Sequence, residues 1–122
     1  MRNTIVSKFK NYKSTNPENI SLLDWLKDTS YKKDVEYIRT VTNKEERNKL
    51  KSNLPTITPS GIFSKRNISG LIKHSGFICI DIDSGDNPNI TDFFNLRNQL
   101  GNIVNVAYSG LSVSGNGVFC LI

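Results

Sequence analysis

Two aspartates at the end of an apolar run are the residues best suited to metal or phosphate chemistry. The run 77–83 is Phe-Ile-Cys-Ile-Asp-Ile-Asp, a composition typical of a β-strand. Side chains alternate faces along a strand, so Asp81 and Asp83 share one face, with Cα atoms about 7 Å apart. Two carboxylates repel each other unless a cation lies between them, and divalent cations prefer such oxygen ligands. We therefore predict that Asp81 and Asp83 bind Mg²⁺ or Mn²⁺; the alternative is that they only end a strand and begin a turn.

A segment rich in serine and glycine supplies candidate phosphate ligands. It runs from 109 to 117 as Ser-Gly-Leu-Ser-Val-Ser-Gly-Asn-Gly and lies between two apolar runs. Small residues let a ligand approach the backbone, successive N–H groups can form an anion-binding nest, and hydroxyls can donate to phosphate oxygens. The alternative is an ordinary hairpin turn, in which glycine and asparagine are common. The predicted nucleotide- or phosphate-binding residues are Ser112, Ser114, Gly115, Asn116 and Gly117.

The charge of the chain is divided unevenly between its two parts. Residues 1–76 carry 15 Lys and Arg against 7 Asp and Glu, a net charge of +8, whereas residues 77–122 carry one Arg against four Asp, a net charge of −3; the sum is the total of +5. A basic part beside an acidic part is expected of a protein that holds phosphates against a metal centre. The alternative is that the lysines form solvated helix faces. The candidate nucleic-acid contacts are Lys51, Lys65, Arg66, Lys73 and His74, each of which could equally be an ordinary surface or structural residue.

Several classes of protein are excluded by composition and motif. The chain has one histidine and two cysteines, Cys79 and Cys120, without zinc-ligand spacing or a disulfide framework. No apolar run approaches the roughly 18–20 residues that span a bilayer, and the N-terminus lacks the apolar core of a secretory signal. We therefore predict a cytoplasmic protein with two reduced thiols and no membrane partner.

The elements that position these residues predict an α+β protein. A length of 122 residues indicates one domain, with residues 1–54 mostly helical and basic and residues 55–122 forming a sheet. From Phe77 the predicted order is β-α-β-β, an open and mainly antiparallel sheet with helices on one face. Its last strands are expected at 103–109 and 117–122. Because the chain stops inside an apolar run, we expect it to be the N-terminal fragment of a longer protein.

Capping signals and periodicity locate the helices. Ser21, followed by Asp24, predicts one helix start, and Thr42 or Asn43 predicts another. Thr91 is expected to cap the helix of the β-α-β-β segment, and Gly101 to follow its end. In the strand before that helix the isoleucines at 78, 80 and 82 form an apolar face, which we expect to pack on helices.

Three segments together resemble the bacterial VirE N-terminal-like domain family. They are Leu54–Phe63, His74–Asp83 and Ser112–Phe119, and the resemblance covers roughly residues 35–122. That family commonly precedes primase- or helicase-type regions in proteins of phages and mobile elements. It is similar in turn to the archaeo-eukaryotic primase-polymerase fold. The resemblance implies that Asp81 and Asp83 bind the catalytic metals and that the segment 114–117 holds the phosphates of an incoming nucleotide.

The sequence departs from the primase-polymerase pattern at two points. The resemblance implies a histidine after the Ser/Gly hairpin, where this chain has Phe119, and a third metal carboxylate on a later strand, which does not occur before Ile122. We therefore expect a primase-polymerase-like module that binds nucleic acid or a nucleoside triphosphate and is inactive alone, next to a C-terminal primase- or helicase-type region. The alternatives are a catalytically inactive interaction or nucleic-acid-binding domain with a structural Asp pair, and a small metal-dependent nuclease.

Overall fold

Eight strands and four α-helices make up the structure, a computed structural model that describes residues 1–122. Every strand pairing is antiparallel, so the predicted α+β class is confirmed. The chain divides into two units, Met1–Phe77 and Ile78–Ile122. That the chain is a single domain stays a prediction. None of the helices has the length and apolar character needed to cross a membrane.

The first unit contains five strands and three α-helices. A three-stranded sheet has the order β2-β1-β3, and β4 pairs with β5. A short 3-10 helix, Ile68–Gly70, precedes β5. The elements are β1 (Ile5–Phe9), β2 (Pro17–Ser21), α1 (Leu22–Lys27), α2 (Lys32–Thr40), α3 (Lys44–Ser52), β3 (Thr56–Thr58), β4 (Gly61–Phe63) and β5 (Leu71–His74).

Residues 1–54 are expected to be mostly helical, with residues 1–19 as an arm or first strand, and the structure has no helix in the first 21 residues. They form the hairpin of β1 and β2, and β1 is the central strand of its sheet. Val6, Ser7 and Phe9 of β1 are all fully buried. The strand therefore does not alternate between buried and exposed side chains, as a half-exposed strand would. Lacking that alternation, β1 gives no clear strand signal in the sequence.

Ser7 explains how a polar residue can lie in this core. Its Oγ accepts a hydrogen bond from the Phe63 amide at 2.8 Å and donates to the Phe63 carbonyl oxygen at 3.3 Å. The buried hydroxyl therefore has both partners and connects β1 to β4.

The predicted helix starts of the first unit are confirmed by their capping bonds. Ser21 Oγ accepts from the Asp24 amide at 3.4 Å, and Asn43 Oδ1 accepts from the Glu46 amide at 3.0 Å. These bonds satisfy amides that have no partner within the first turn of a helix.

The second unit is a three-stranded sheet with one helix. Its elements are β6 (Cys79–Asp83), α4 (Phe93–Gly101), β7 (Tyr108–Leu111) and β8 (Gly117–Leu121). The strand order is β6-β8-β7, so β8 lies between β6 and β7 and is antiparallel to both. The predicted β-α-β-β order is confirmed, although β7 begins at Tyr108 rather than at Ile103.

Both predicted ends of α4 are displaced by one residue. Asp92, not Thr91, is the N-cap, and its Oδ1 accepts from the Asn95 amide at 2.9 Å. Gly101 is the last helical residue, and Asn102 rather than Gly101 follows the end. Aspartate and threonine are both good N-caps, so the sequence did not distinguish the two positions.

The isoleucine face of β6 is not covered by a helix, which corrects the expectation. Helix α4 contacts β7 and β8. Ile78 is 62% exposed and Ile80 is 42% exposed. Val118 and Cys120 of the central strand β8 are buried, at 1% and 3% exposure.

Candidate functional site

Asp81 and Asp83 lie on β6, an edge strand of its sheet, and both side chains are exposed. Neither carboxylate takes part in an ion pair. We call the side of the sheet that they share the Asp face. No group of three or more Asp, Glu, His or Cys side chains is present that could hold a metal ion, so the pair stands without a third acid.

The Ser/Gly hairpin reaches the Asp face at Gly117. Gly117 pairs with Asp83 in the β6–β8 ladder, and its carbonyl oxygen accepts from the Ser112 amide at 2.9 Å. A Cβ built on Gly117 would lie 3.1 Å from Asp83 Oδ1 and 3.3 Å from Ser112 Oγ. Asp83, a predicted metal ligand, and Ser112, a predicted phosphate ligand, therefore approach the same point beside Gly117, which has no side chain.

The hairpin itself is a tight turn held by internal bonds. The Gly115 amide donates to the Ser112 carbonyl oxygen at 3.0 Å, and the Asn116 amide donates to Ser114 Oγ at 3.3 Å. The hydroxyl oxygens of Ser112 and Ser114 are 3.3 Å apart. The amides of Gly115 and Asn116 are thus engaged within the turn, so these two N–H groups do not form an open anion-binding nest.

Phe119 occupies the centre of the Asp face. It pairs with Asp81 on one side and with Gly110 on the other. Its ring centroid is 5.7 Å from that of Tyr108, with the planes tilted by 32°. The resemblance implies a histidine at Phe119, so at this place the chain has an apolar ring beside the first aspartate.

The two cysteines are near each other in the ladder but face opposite ways. Cys79 pairs with Leu121, and Cys120 pairs with Ile80, so register places Cys79 on the Asp face and Cys120 on the other. Both thiols are free, as predicted. Burial, followed by the negative charge of Asp81 and then the Cys120 thiol, raises the pKa of Cys79 to about 11.

A family model described as BT4734-like, N-terminal domain matches residues 49–122, more than half of the chain. The chain belongs to this family. The match extends from within α3 to the end of β8 and includes both aspartates and the Ser/Gly hairpin. No curated protein and no solved structure matches the chain. The resemblance to VirE N-terminal-like domains and to primase-polymerases stays a prediction.

The predicted nucleic-acid contacts fall within the BT4734-like match, but all of them belong to the first unit. Lys51 lies near the end of α3, and Lys73 and His74 lie on β5. Lys65 and Arg66 lie in the turn between β4 and the 3-10 helix. Lys65 and Lys73 are exposed, and Lys51 is half-buried.

Arg66 has a structural role that the sequence did not reveal. Its guanidinium carbon is 5.4 Å from the ring centroid of Phe9 and 5.2 Å from that of Tyr12. Its Nη1 donates to the Tyr12 carbonyl oxygen at 2.9 Å. The side chain therefore ties the turn after β4 to the end of the β1 strand, through partners far away in sequence.

His74 and Lys73 line a cavity of about 190 Å³ in the first unit. The other lining residues are Asn3, Thr4, Ile5, Ile62 and Ser75. His74 Nδ1 accepts a hydrogen bond from the Gly76 amide at 2.9 Å, so in the neutral ring the proton is on Nε2. No acidic side chain lines this cavity.

Proposed function

We propose that this BT4734-like domain is a primase-polymerase-like module that binds a nucleotide or nucleic acid through a divalent cation and is inactive alone. The observation that supports the proposal is the approach of Asp83 and Ser112 to the same point above Gly117. In this proposal the protein is cytoplasmic, belongs to the replication machinery of a phage, plasmid or other mobile element, and works beside a C-terminal primase- or helicase-type region.

The donors on the Asp face fit Mg²⁺ or Mn²⁺. Two exposed carboxylates on one face have no basic partner, so an added cation would relieve their mutual repulsion. The cation supplies neutralisation and orientation of phosphate charge. Asp81 and Asp83 would hold it, while the hydroxyls of Ser112 and Ser114 would donate to phosphate oxygens.

Two features support binding without catalysis. Phosphoryl-transfer sites of the two-metal type use more carboxylates than a single pair provides. Phe119 has no polar group with which to contact phosphate at the position where the resemblance implies histidine. The domain would therefore need residues from elsewhere to react.

The basic first unit would contact the nucleic-acid backbone. Its net charge is +8, against −3 for the second unit. Because phosphate contacts release counterions, affinity for single-stranded DNA should fall at least tenfold between about 50 and 200 mM salt. An affinity that stays flat over this range would contradict backbone contacts by the first unit.

Calorimetric titration of Mn²⁺, with and without ATP, tests the site itself. The wild-type chain should bind Mn²⁺, and ATP should strengthen that binding. Asp81→Asn/Asp83→Asn should abolish both effects, since it removes the two carboxylates at little change in volume. Asp34→Asn/Asp86→Asn removes the same charge from exposed positions outside the pair and should behave as wild type. If the wild type binds no Mn²⁺, or if both double variants lose binding equally, the proposal fails.

The position of β6 favours a second candidate, an inactive interaction or nucleic-acid-binding domain. Charged side chains on an edge strand prevent it from pairing with other chains, so Asp81 and Asp83 could serve that purpose alone. In that case the double Asp→Asn variant binds DNA as wild type does, but it associates into larger species at high concentration, measured by light scattering.

A further inference from the structure

We propose that Phe119 and Tyr108 form a stacking platform for the base of the nucleotide whose phosphates lie at Asp83 and Ser112. The inference rests on the proposed function and adds to it the part of the ligand that is not phosphate. It assigns an aromatic role to the position at which the resemblance implies a phosphate contact.

Residues paired side by side across β6, β8 and β7 form rows on the Asp face. Gly117 lies in the first row between Asp83 and Ser112, and Phe119 lies in the next row between Asp81 and Gly110. Two residues along a strand span roughly 7 Å. The Phe119 ring therefore begins roughly 7 Å from the row that holds Asp83 and Ser112, a distance that the sugar of one nucleotide can span.

Gly110 is the reason that the two rings lie together on this face. A Cβ built on Gly110 would lie 2.8 Å from Cε1 and from Cζ of Phe119, and 3.0 Å from Cε1 of Tyr108. Both rings thus extend over a residue without a side chain, and Gly110 itself is buried beneath them. The Phe119 ring leans toward β7, away from the carboxylate of Asp81 on β6.

The rings remain partly open to solvent. Phe119 and Tyr108 are half-buried, in contrast to Leu121 on the same face, which is 1% exposed. A pair of contacting aromatic rings that is only half covered, next to carboxylates and hydroxyls, offers a flat apolar surface beside a polar one. A nucleotide has the same two parts, a base with a π face and a charged phosphate chain.

Comparing ATP with inorganic tripolyphosphate isolates the base. In the presence of Mn²⁺, the wild-type chain should bind ATP roughly tenfold or more tightly than tripolyphosphate, the gain of one stacked base. Phe119→Leu should reduce the ratio of ATP affinity to tripolyphosphate affinity to about one and leave tripolyphosphate binding unchanged. The reason is that leucine keeps the site apolar but has no π face. Phe94→Leu, which changes an exposed ring on α4, should keep the wild-type ratio.

Tyr108→Leu provides a second variant in case Phe119→Leu does not fold, as judged by circular dichroism. It should lower the ratio in part, since it removes only the outer ring of the platform. Equal affinity of the wild type for ATP and tripolyphosphate, or a ratio that survives the loss of either ring, would overturn the platform. If tripolyphosphate binding still depends on Asp81 and Asp83 in that result, the proposed function stands without it. If the wild type binds neither compound with Mn²⁺, both proposals fail together.

Discussion

Asp83 Oδ1 and Ser112 Oγ lie 3.1 and 3.3 Å from a single point, the position that a Cβ of Gly117 would take. Asp83 ends the edge strand β6, and Ser112 directly follows β7 within the Ser/Gly segment. Antiparallel pairing of β6 and β7 with the shared strand β8 brings them together. The point between the two oxygen atoms is open because residue 117 is a glycine.

Gly117→Ala should weaken binding of Mn²⁺ and ATP and lower stability by about 1–3 kcal/mol, because overpacking forces the backbone to move. The added methyl would be 2.9 Å from the Ile82 carbonyl oxygen, which cannot swing aside as a side chain could. Thermal unfolding and calorimetry measure the two effects. Gly85→Ala is the matched control, since nothing lies within 4 Å of its Cβ position. Wild-type ATP affinity in Gly117→Ala would show that the site does not need this opening.

Gly115→Ala should reduce stability by roughly 1–2 kcal/mol for a different reason, namely backbone strain. Gly115 has a φ of +78°, a conformation that residues with a Cβ rarely adopt. Chemical denaturation gives the loss, with Gly85→Ala again as the comparison. Equal midpoints for the two variants would mean that the hairpin relaxes to another turn.

The thiol of Cys79 should react slowly with iodoacetamide below pH 9 and faster as pH approaches 11. Its pKa is raised to about 11 by burial and then by Asp81, so little thiolate is present at neutral pH. Asp81→Asn removes a neighbouring negative charge, lowers this pKa and should increase the alkylation rate at a fixed pH. Peptide mapping distinguishes Cys79 from Cys120.

The same raised pKa predicts how the stability of the fold depends on pH. The unfolded thiol ionises near pH 9 and the folded one near pH 11, so the free energy of unfolding falls as pH rises through this window.

Asp83→Asn, which alters a carboxylate that does not act on Cys79, is the control for the alkylation experiment and should leave the alkylation profile nearly unchanged. A profile that shifts equally in the two Asp→Asn variants would contradict the assignment to Asp81.

Arg66→Ala should lower the free energy of unfolding by about 1–2 kcal/mol, from two cation–π contacts and one hydrogen bond. The guanidinium lies against Phe9 and Tyr12 and bonds to the Tyr12 carbonyl oxygen. Its exposed neighbour Lys65 provides the control, and Lys65→Ala should stay within about 0.5 kcal/mol of wild type. Denaturant unfolding measures both. Equal stability of Arg66→Ala and Lys65→Ala would show that the contacts of Arg66 do not stabilise the fold.

Local signals predicted much of the fold correctly. Ser21 was predicted as one helix cap, and Asn43 was one of two residues predicted as another, because capping depends on short-range spacing. The strand ending at Asp83 and the β-α-β-β order followed from an apolar run and turn residues. The helix α4 was displaced by one residue because Thr91 and Asp92 are both suitable caps.

Non-local pairing accounts for what the sequence did not predict. The meeting of Asp83 with Ser112 needs β8 as a shared neighbour, and the contact of Tyr108 with Phe119 needs the β7–β8 register. Strand β1 carries only a weak local signal, because Val6 and Ser7 are buried side by side, without a polar alternation. The serine is tolerated through its two bonds to Phe63, a partner that no local pattern indicates.

The bonds between Ser7 and Phe63 have a consequence for where this domain can be cut. The family match begins at residue 49, yet β3 pairs with β1, and Phe63 of β4 bonds to Ser7 of β1, a strand that lies outside the match. A chain started at residue 49 would leave the Phe63 amide and one edge of β3 without partners. The matched segment therefore contains β3 but neither of the other two strands of its sheet, β1 and β2, which precede the match.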